Sequence, residues 1–259
     1  MGTFLFDKII FGPVKSRRLG ISLGINLLPT NSKLCNFNCI YCECGWTNGK
    51  QEIKTKFHPR ELVSENLEAM LIDMKEKNKP LDVITYAGNG EPTLHPDFNK
   101  IIDDTIRIRN KYFPKVRIAV LSNATLIHKE KVFSALNLID DNVLKLDSAF
   151  IDTVRLFNNP IGKYDINNIV ENFKKFRSNL TIQTMFVKGQ YKGQKVDNTT
   201  EKELTAWIEL LHKIKPKTVM IYTIARDTPS PDLVKVSADE LYTIKDRLNK
   251  EGFEVQVSA

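Results

Sequence analysis

Four cysteines serve the whole 259-residue chain, and none lies outside residues 35–44. No apolar run approaches the roughly 20 residues that span a bilayer, and the N-terminus shows no signal-peptide core. Gly/Ser-rich linkers, low-complexity tracts and internal repeats are missing, as is a Gly-rich dinucleotide fingerprint. These absences exclude a membrane span, a disulfide-stapled scaffold, a repeat solenoid and a dinucleotide-binding sheet. They lead us to expect a cytoplasmic protein without a membrane partner, folded as one domain over residues 1–259.

What is present is ordinary for a globular chain: 42% hydrophobic residues, 27% charged residues and a net charge of +7. The lysines are interspersed with acids and apolar residues, as in "ENFKKF", and read as solvated faces rather than a nucleic-acid patch. Short apolar runs alternate with amphipathic stretches. Strands are expected at Gly20–Leu28, Leu81–Tyr86, Val116–Leu121, Asn142–Leu146, Thr181–Val187 and Thr218–Ile224, with a late one at Phe253–Val257. Helices are expected at Glu61–Lys77, Phe98–Arg109, Lys129–Leu138, Ile166–Arg177, Glu201–Ile214 and Ala238–Lys250. In the first, Leu62, Leu67, Met70, Leu71 and Met74 form the apolar stripe. Such alternation predicts an α/β fold, a partial (β/α)6 TIM-like barrel of parallel strands, with its chemistry at the C-terminal strand ends.

Cys35, Cys39 and Cys42 follow the first strand at spacing C-x3-C-x2-C. Three thiolates on one loop can hold three irons of a [4Fe–4S] cube and leave the fourth open. A four-thiolate zinc completed by Cys44 is the alternative, although four sulfurs on so short a stretch give poor tetrahedral geometry. A thiol exchange pair at Cys39 and Cys42 leaves Cys35 unexplained. Cys44, one residue beyond Cys42, is expected to be a small buried hydrophobe.

With Tyr41 directly before the last of the three, this motif resembles the cluster motif of radical S-adenosylmethionine enzymes. That resemblance implies a [4Fe–4S] cluster on Cys35, Cys39 and Cys42, with S-adenosylmethionine on the open iron. It further implies a 5′-deoxyadenosyl radical made by reductive cleavage and a low-potential donor such as flavodoxin or ferredoxin. "TYAGNGEPTLHPD" resembles the family's Gly-Gly-Glu-Pro loop. There Gly88 and Gly90 would admit close backbone approach. Asn89 stands where glycine is usual, and Glu91 would accept from the cofactor ammonium or brace the loop. Ser122 and Asn123 resemble the family's Ser/Thr-Asn-Gly turn. Tyr41, Gly88, Asn89, Gly90, Glu91, Ser122, Asn123, Asp147 and Gln183 are thus the expected cofactor contacts.

Strand parity adds a second layer. In "NVLKLDSAF", Leu144 and Leu146 would face the helices, while Lys145 and Asp147 point into the barrel. In "TIQTMFV", Ile182 and Phe186 would face outward, leaving Gln183 and Met185 inside. Lys145, Asp147 and Glu91 are the candidate catalytic groups, with Lys145 or Glu91 as proton donor. Arg17 and Arg18 would bind an anion or cap the lower edge of the barrel. Arg226 would hold a ligand carboxylate or pair with Asp227.

The stretch "FGPVKSRRLGISLGINLLP" and "KLDSA" resemble the wyosine-base-formation-like branch of that superfamily. Lacking thiols for a second cluster, the chain is most similar there to the queuine lyases. This implies cleavage of queuine, releasing a preQ1-type 7-deazaguanine base, with Asp147 and Gln183 reading the base edge. Two alternatives are a tRNA-modifying relative and, from another class, a zinc-stabilised nucleic-acid-binding module. A small nucleobase-like ligand is the expected partner, ahead of nucleic acid.

Overall fold

The computed structural model describes residues 4–47, 57–176 and 179–259. Its frame is a curled, mostly parallel sheet. β1 (Ile10–Ser16) runs antiparallel to β2 (Gly20–Ile25), and from β2 onward every neighbour on the main path is parallel. That path continues through β3 (Val83–Tyr86), β4 (Arg117–Ser122), β5 (Asp141–Lys145) and β6 (Leu180–Tyr191). A side hairpin strand, β7 (Gln194–Asp197), pairs antiparallel with the end of β6. β8 (Thr218–Thr223) resumes the path; β9 (Leu233–Lys235) also lies against β6, and β10 (Val255–Ser258) ends the sheet beside β8. The result is the expected half-barrel of parallel strands in an α/β fold.

Helices cover the outer face: α1 (Arg60–Glu76), α2 (Phe98–Tyr112), α3 (Glu130–Leu138), α4 (Ile151–Asn158), α5 (Ile166–Phe173), α6 (Glu201–Ile214) and α7 (Ala238–Lys250). Strands such as "VITY", buried at every position, have the continuous apolar character of a parallel sheet covered on both faces. Among the described residues no helix is long and apolar enough to cross a membrane.

Several elements depart from expectation. β2 stops at Ile25 because the Asn26 carboxamide turns the chain: its Oδ1 accepts from Leu28 N at 3.2 Å and Asn89 N at 3.1 Å. On α1, Leu62 is exposed and Val63 is buried in its place. Val63 lies four residues before Leu67 and shares its face, whereas Leu62 lies five before and does not. Arg177, the predicted end of α5, lies outside the described residues, and the helix ends at Phe173. β1, α4, β7 and β9 had no expectation.

Packing sorts the interior into three bodies. The largest lies between sheet and helices and takes up Leu144, Leu146, Ile182 and Phe186, all four on the predicted outward parity. A small one inside the barrel base joins Leu19, Val83, Ala119, Val143 and Met220. The third, at the C-terminal strand ends, joins Phe37, Cys39, Ile40 and Tyr41 to Phe157 and Met185. The small body narrows the base, and a cavity at the opposite end opens beside the cysteine loop.

Candidate functional site

The loop after β2 is pinned on two sides. Leu34 N donates to Asn89 O at 2.8 Å, and Glu91 N returns to Leu34 O at 3.1 Å. This bridge needs a glycine at position 90: φ there is +136°, and a Cβ would stand 1.8 Å from Leu34 O. On the far side Asn38 N donates to Asn158 O and Ile40 N to Phe157 O, fastening the loop to the end of α4. Phe37 and Ile40, both buried, anchor it to the packing beneath.

So held, Cys35, Cys39 and Cys42 line one cavity of about 260 Å³. Cys35 Sγ accepts from Phe37 N at 3.4 Å, and Cys39 Sγ from Asn158 Nδ2 at 3.5 Å. Burial pushes both thiols up, with Glu91 adding to the rise at Cys35 and Lys145 opposing it at Cys39. Cys42 is lowered, chiefly because the Cys44 thiol donates to it and then because Lys33 is near. Cys44 is therefore not the inert hydrophobe expected. It is half-buried on the cavity wall, where its single S–H has either Cys42 Sγ or Gly88 O, the latter at 3.4 Å, as acceptor.

Lys33 was not anticipated. Its Nζ donates to Gly45 O at 2.8 Å inside the same wall. Burial disfavours this ammonium, but Cys42 first, and then Cys35 and Cys39, outweigh burial and hold its pKa above the ordinary lysine value. The signal in the sequence was a lysine two residues ahead of Cys35.

The opposite wall is a polar network around Asp147. Met185 N donates to its Oδ1 at 2.9 Å, while Asn158 Nδ2 (2.7 Å), the Tyr41 hydroxyl and Lys145 Nζ (3.5 Å) converge on Oδ2. Both oxygens are spent inside the protein, and Asp147 does not line the cavity, which corrects its expected cofactor and base-edge roles. Lys145 does line it, donating to Tyr41 Oη at 3.1 Å and Tyr222 Oη at 3.2 Å. Burial works against its charge, yet Asp147 and Tyr222 keep its pKa above that of a free lysine. At neutral pH it is a fixed cation, a poor proton donor. Tyr41, whose phenol is raised by burial and then by Asp147, stays neutral.

Glu91 is the brace rather than a free carboxylate. Its Oε1 accepts from Thr93 N, Thr93 Oγ1 and Ser122 Oγ (2.8 Å), and its Oε2 from Asn123 N at 2.7 Å. Burial still pushes its pKa up against these donors. Asn89 is turned away from the cavity, a correction to its expected cofactor contact. Its side chain instead mimics a strand neighbour for Phe6, accepting from Phe6 N at 2.8 Å and donating to Phe6 O at 2.9 Å. Gly88, Gly90, Ser122 and Asn123 do line the cavity. Asn123 Nδ2 reaches Asn36 Oδ1 at 2.6 Å. Gln183 and Met185 line it too, as parity predicted, but Gln183 Oε1 accepts from Arg18 Nη1 at 3.0 Å. Arg18 thus sits at the lower edge of the barrel and reaches from there into the interior. Arg226 pairs with Glu43 at 2.7 Å, not with Asp227.

Among the described residues, no three Cys, His, Asp or Glu side chains converge on a point that could hold a single ion. A cubane makes a different demand, one thiolate for each of three separate irons around one cavity. Three thiols, a compensating ammonium and a cavity open beside them suit that donor set. A zinc site closed by a fourth sulfur has no such convergence.

The comparisons agree. A model of the Radical SAM superfamily matches residues 32–197. A UPF0026 protein of Helicobacter pylori is 32% identical over 237 residues, covering 90% of this chain and 71% of that one. A protein named GTPase Obg from Brachyspira hyodysenteriae is 32% identical over 246 residues, 93% of this chain but 33% of its own length. Among solved structures, SuiB of Streptococcus suis bound to S-adenosylmethionine superposes with a TM-score of 0.63 at 14% identity, over 91% of this chain and 50% of SuiB. Archaeal TYW1 gives 0.52 at 16% identity, over 88% and 71%. The chain thus spans a third of the Brachyspira protein and half of SuiB.

Proposed function

Because this chain belongs to the radical SAM superfamily, whose members work with a [4Fe–4S] cluster and S-adenosylmethionine, we propose that Cys35, Cys39 and Cys42 hold that cluster. The substrate then lies in the adjoining cavity. The observation that carries this reading is three thiols of one loop lining one cavity with the Lys33 ammonium among them. When bound there, the cluster and S-adenosylmethionine supply a 5′-deoxyadenosyl radical on one-electron reduction. The protein's own part is to hold a substrate C–H in place and keep water away.

Each wall has a share in that. Lys33 offsets the charge of the thiolates. Gly88 and Gly90 give bare backbone beside them, where a ligand can approach closely. Phe37, Leu121 and Met185 make the cavity apolar enough to shield a radical, while Lys145 and Tyr222 present fixed donors. Thiolates kept for a cluster suit a reducing compartment, and a low-potential flavodoxin or ferredoxin is the reductant this reading calls for.

Queuine cleavage is the finer reading within this class. It is supported by the sequence resemblance and by a cavity of small-molecule size. Asp147 and Gln183, expected to read the base edge, are however engaged with Tyr41, Asn158 and Arg18. Queuine is accordingly the first compound to test rather than the substrate the geometry selects.

The test is anaerobic reconstitution. The protein should turn brown with about four irons per chain and release 5′-deoxyadenosine when reduced with S-adenosylmethionine. A Cys39→Ala variant should lose both properties. Cleavage that survives in that variant, or one tightly held zinc in place of the irons, refutes the proposal.

A further inference from the structure

Among the described residues, the cavity lining holds more cationic than acidic side chains. Four cationic side chains line it: Arg17, Arg18, Lys33 and Lys145. Lys33 faces the three cluster thiols, and Lys145 faces Asp147 at 3.5 Å. Arg17 is exposed at the edge, where its Nη1 meets Ala259 O at 3.5 Å. The two acids of the lining are also taken, Glu43 by Arg226 and Glu91 by its four donors. Arg18 alone is left inside without a carboxylate among the described residues.

Its position is built rather than incidental. Arg18 sits on the β1–β2 turn, at the end of the barrel opposite the cysteine loop, and reaches up through the interior. Leu19 beside it is buried in the packed base, and Gln256 of β10 donates to the Arg18 carbonyl. The guanidinium carbon lies 4.6 Å from the centre of the Tyr222 ring. Nη1 donates to Gln183 Oε1, a neutral acceptor that orients the group without cancelling its charge. Its only other side-chain hydrogen bond among the described residues is a long one, from Nη1 to Met220 Sδ at 4.0 Å. A guanidinium has five N–H groups, and among the described residues Nε and Nη2 have no hydrogen-bond partner, so donors remain for a ligand. Held by tyrosine and amide, this half-buried guanidinium keeps its charge, which an anion can pair with through charge-assisted bonds.

We propose that Arg18 is a substrate-binding residue and that the substrate of this cavity carries a carboxylate. The inference rests on the cavity being the radical enzyme's substrate site. A single planar fork with one uncompensated charge matches a planar monoanion, which it can grip through two parallel N–H bonds. A phosphate dianion would leave one negative charge unmatched. Queuine has no carboxylate, so the inference directs the search toward small organic acids.

Binding is tested on the reconstituted holoenzyme with S-adenosylmethionine present, by ligand-observed NMR titration. The probes are acetate and benzoate against acetamide and benzamide, with inorganic phosphate and queuine as separate arms. Each acid should bind about tenfold or more tightly than its amide, the scale of one charge-assisted bidentate contact. Arg18→Gln should abolish that preference, and Arg18→Lys, which keeps the charge but not the fork, should retain part of it. Iron content reports whether each variant has folded around its cluster. Acids and amides binding alike, neither acid binding, a preference that survives Arg18→Gln, or phosphate or queuine outcompeting both acids would each overturn the proposal. Release of 5′-deoxyadenosine by the reduced wild-type protein is scored separately. Its absence refutes the radical reading, whereas its presence without an acid preference refutes only the role of Arg18.

Discussion

Asp147→Asn is the sharpest probe of the polar wall. The side chain of Asp147 is fully shielded, that of Lys145 is 13% exposed, and the two are the charged pair of this network. The substitution keeps the shape but removes the counter-charge. It also puts an amide N–H₂ where Tyr41, Asn158 and Lys145 all donate, or else breaks the bond from Met185 N. Removing one partner of a buried pair costs about 3–5 kcal/mol, because the remaining charge is left without compensation. For a chain of this size each kcal/mol moves the melting temperature by roughly 2–4 °C, so a fall of about 6–20 °C is expected. The assay is thermal unfolding followed by circular dichroism on anaerobic, cluster-loaded protein. Lys145→Met combined with Asp147→Asn completes a double-mutant cycle and should recover at least ~1 kcal/mol of the loss, since the stranded ammonium is gone. A single variant melting within a degree or two of wild type, or a cycle with no coupling, would show that the pair carries no such energy.

Gly90→Ala should fail to hold iron on reconstitution and lose at least ~2 kcal/mol of stability in urea unfolding, since its Cβ would collide with Leu34 O at a φ of +136°. Normal iron content would refute the bridge. Asn89→Asp should be nearly as harmful as Asn89→Ala, because a carboxylate cannot donate to Phe6 O and Pro29 O as the amide does at 2.9 and 2.8 Å; equal melting of Asn89→Asp and wild type would count against this. Asp104 is held below the ordinary carboxylate range, first by hydrogen bonds from Arg60, whose Nε lies 2.6 Å away, and also by Ser64. A lowered folded pKa stabilises above the unfolded value near 3.8 and loses that contribution as pH falls through the folded value. Asp104→Asn should therefore be less stable than wild type at pH 6 and should converge with it below pH 3.8. A gap that stays constant on acidification would refute the assignment.

What the sequence revealed and what it concealed divide along the range of the interactions involved. The thiol cluster was legible because its spacing is local and its chemistry constrains few alternatives. The inward parity of Lys145, Asp147, Gln183 and Met185 was legible because side chains alternate strictly along a strand. Parity, however, states only which way a side chain points. Whether Asp147 is free for a ligand depends on Tyr41 and Asn158, 106 and 11 positions away, and Asn158 lies on a helix with no expectation. Whether Gln183 is free depends on Arg18, 165 positions earlier on a turn assigned to the far edge of the barrel. Asn89 shows the same limit from the other side, since a loop position chosen for its neighbours turned out to serve Phe6. In a half-barrel built from crossovers, inward residues meet partners from strands distant in sequence. The face is therefore set by the local backbone, while the availability of a polar group is set by whichever distant donor arrives first. Arg18 is the case in which, among the described residues, no carboxylate arrived, and for that reason it is the interior group proposed to offer its charge to a substrate.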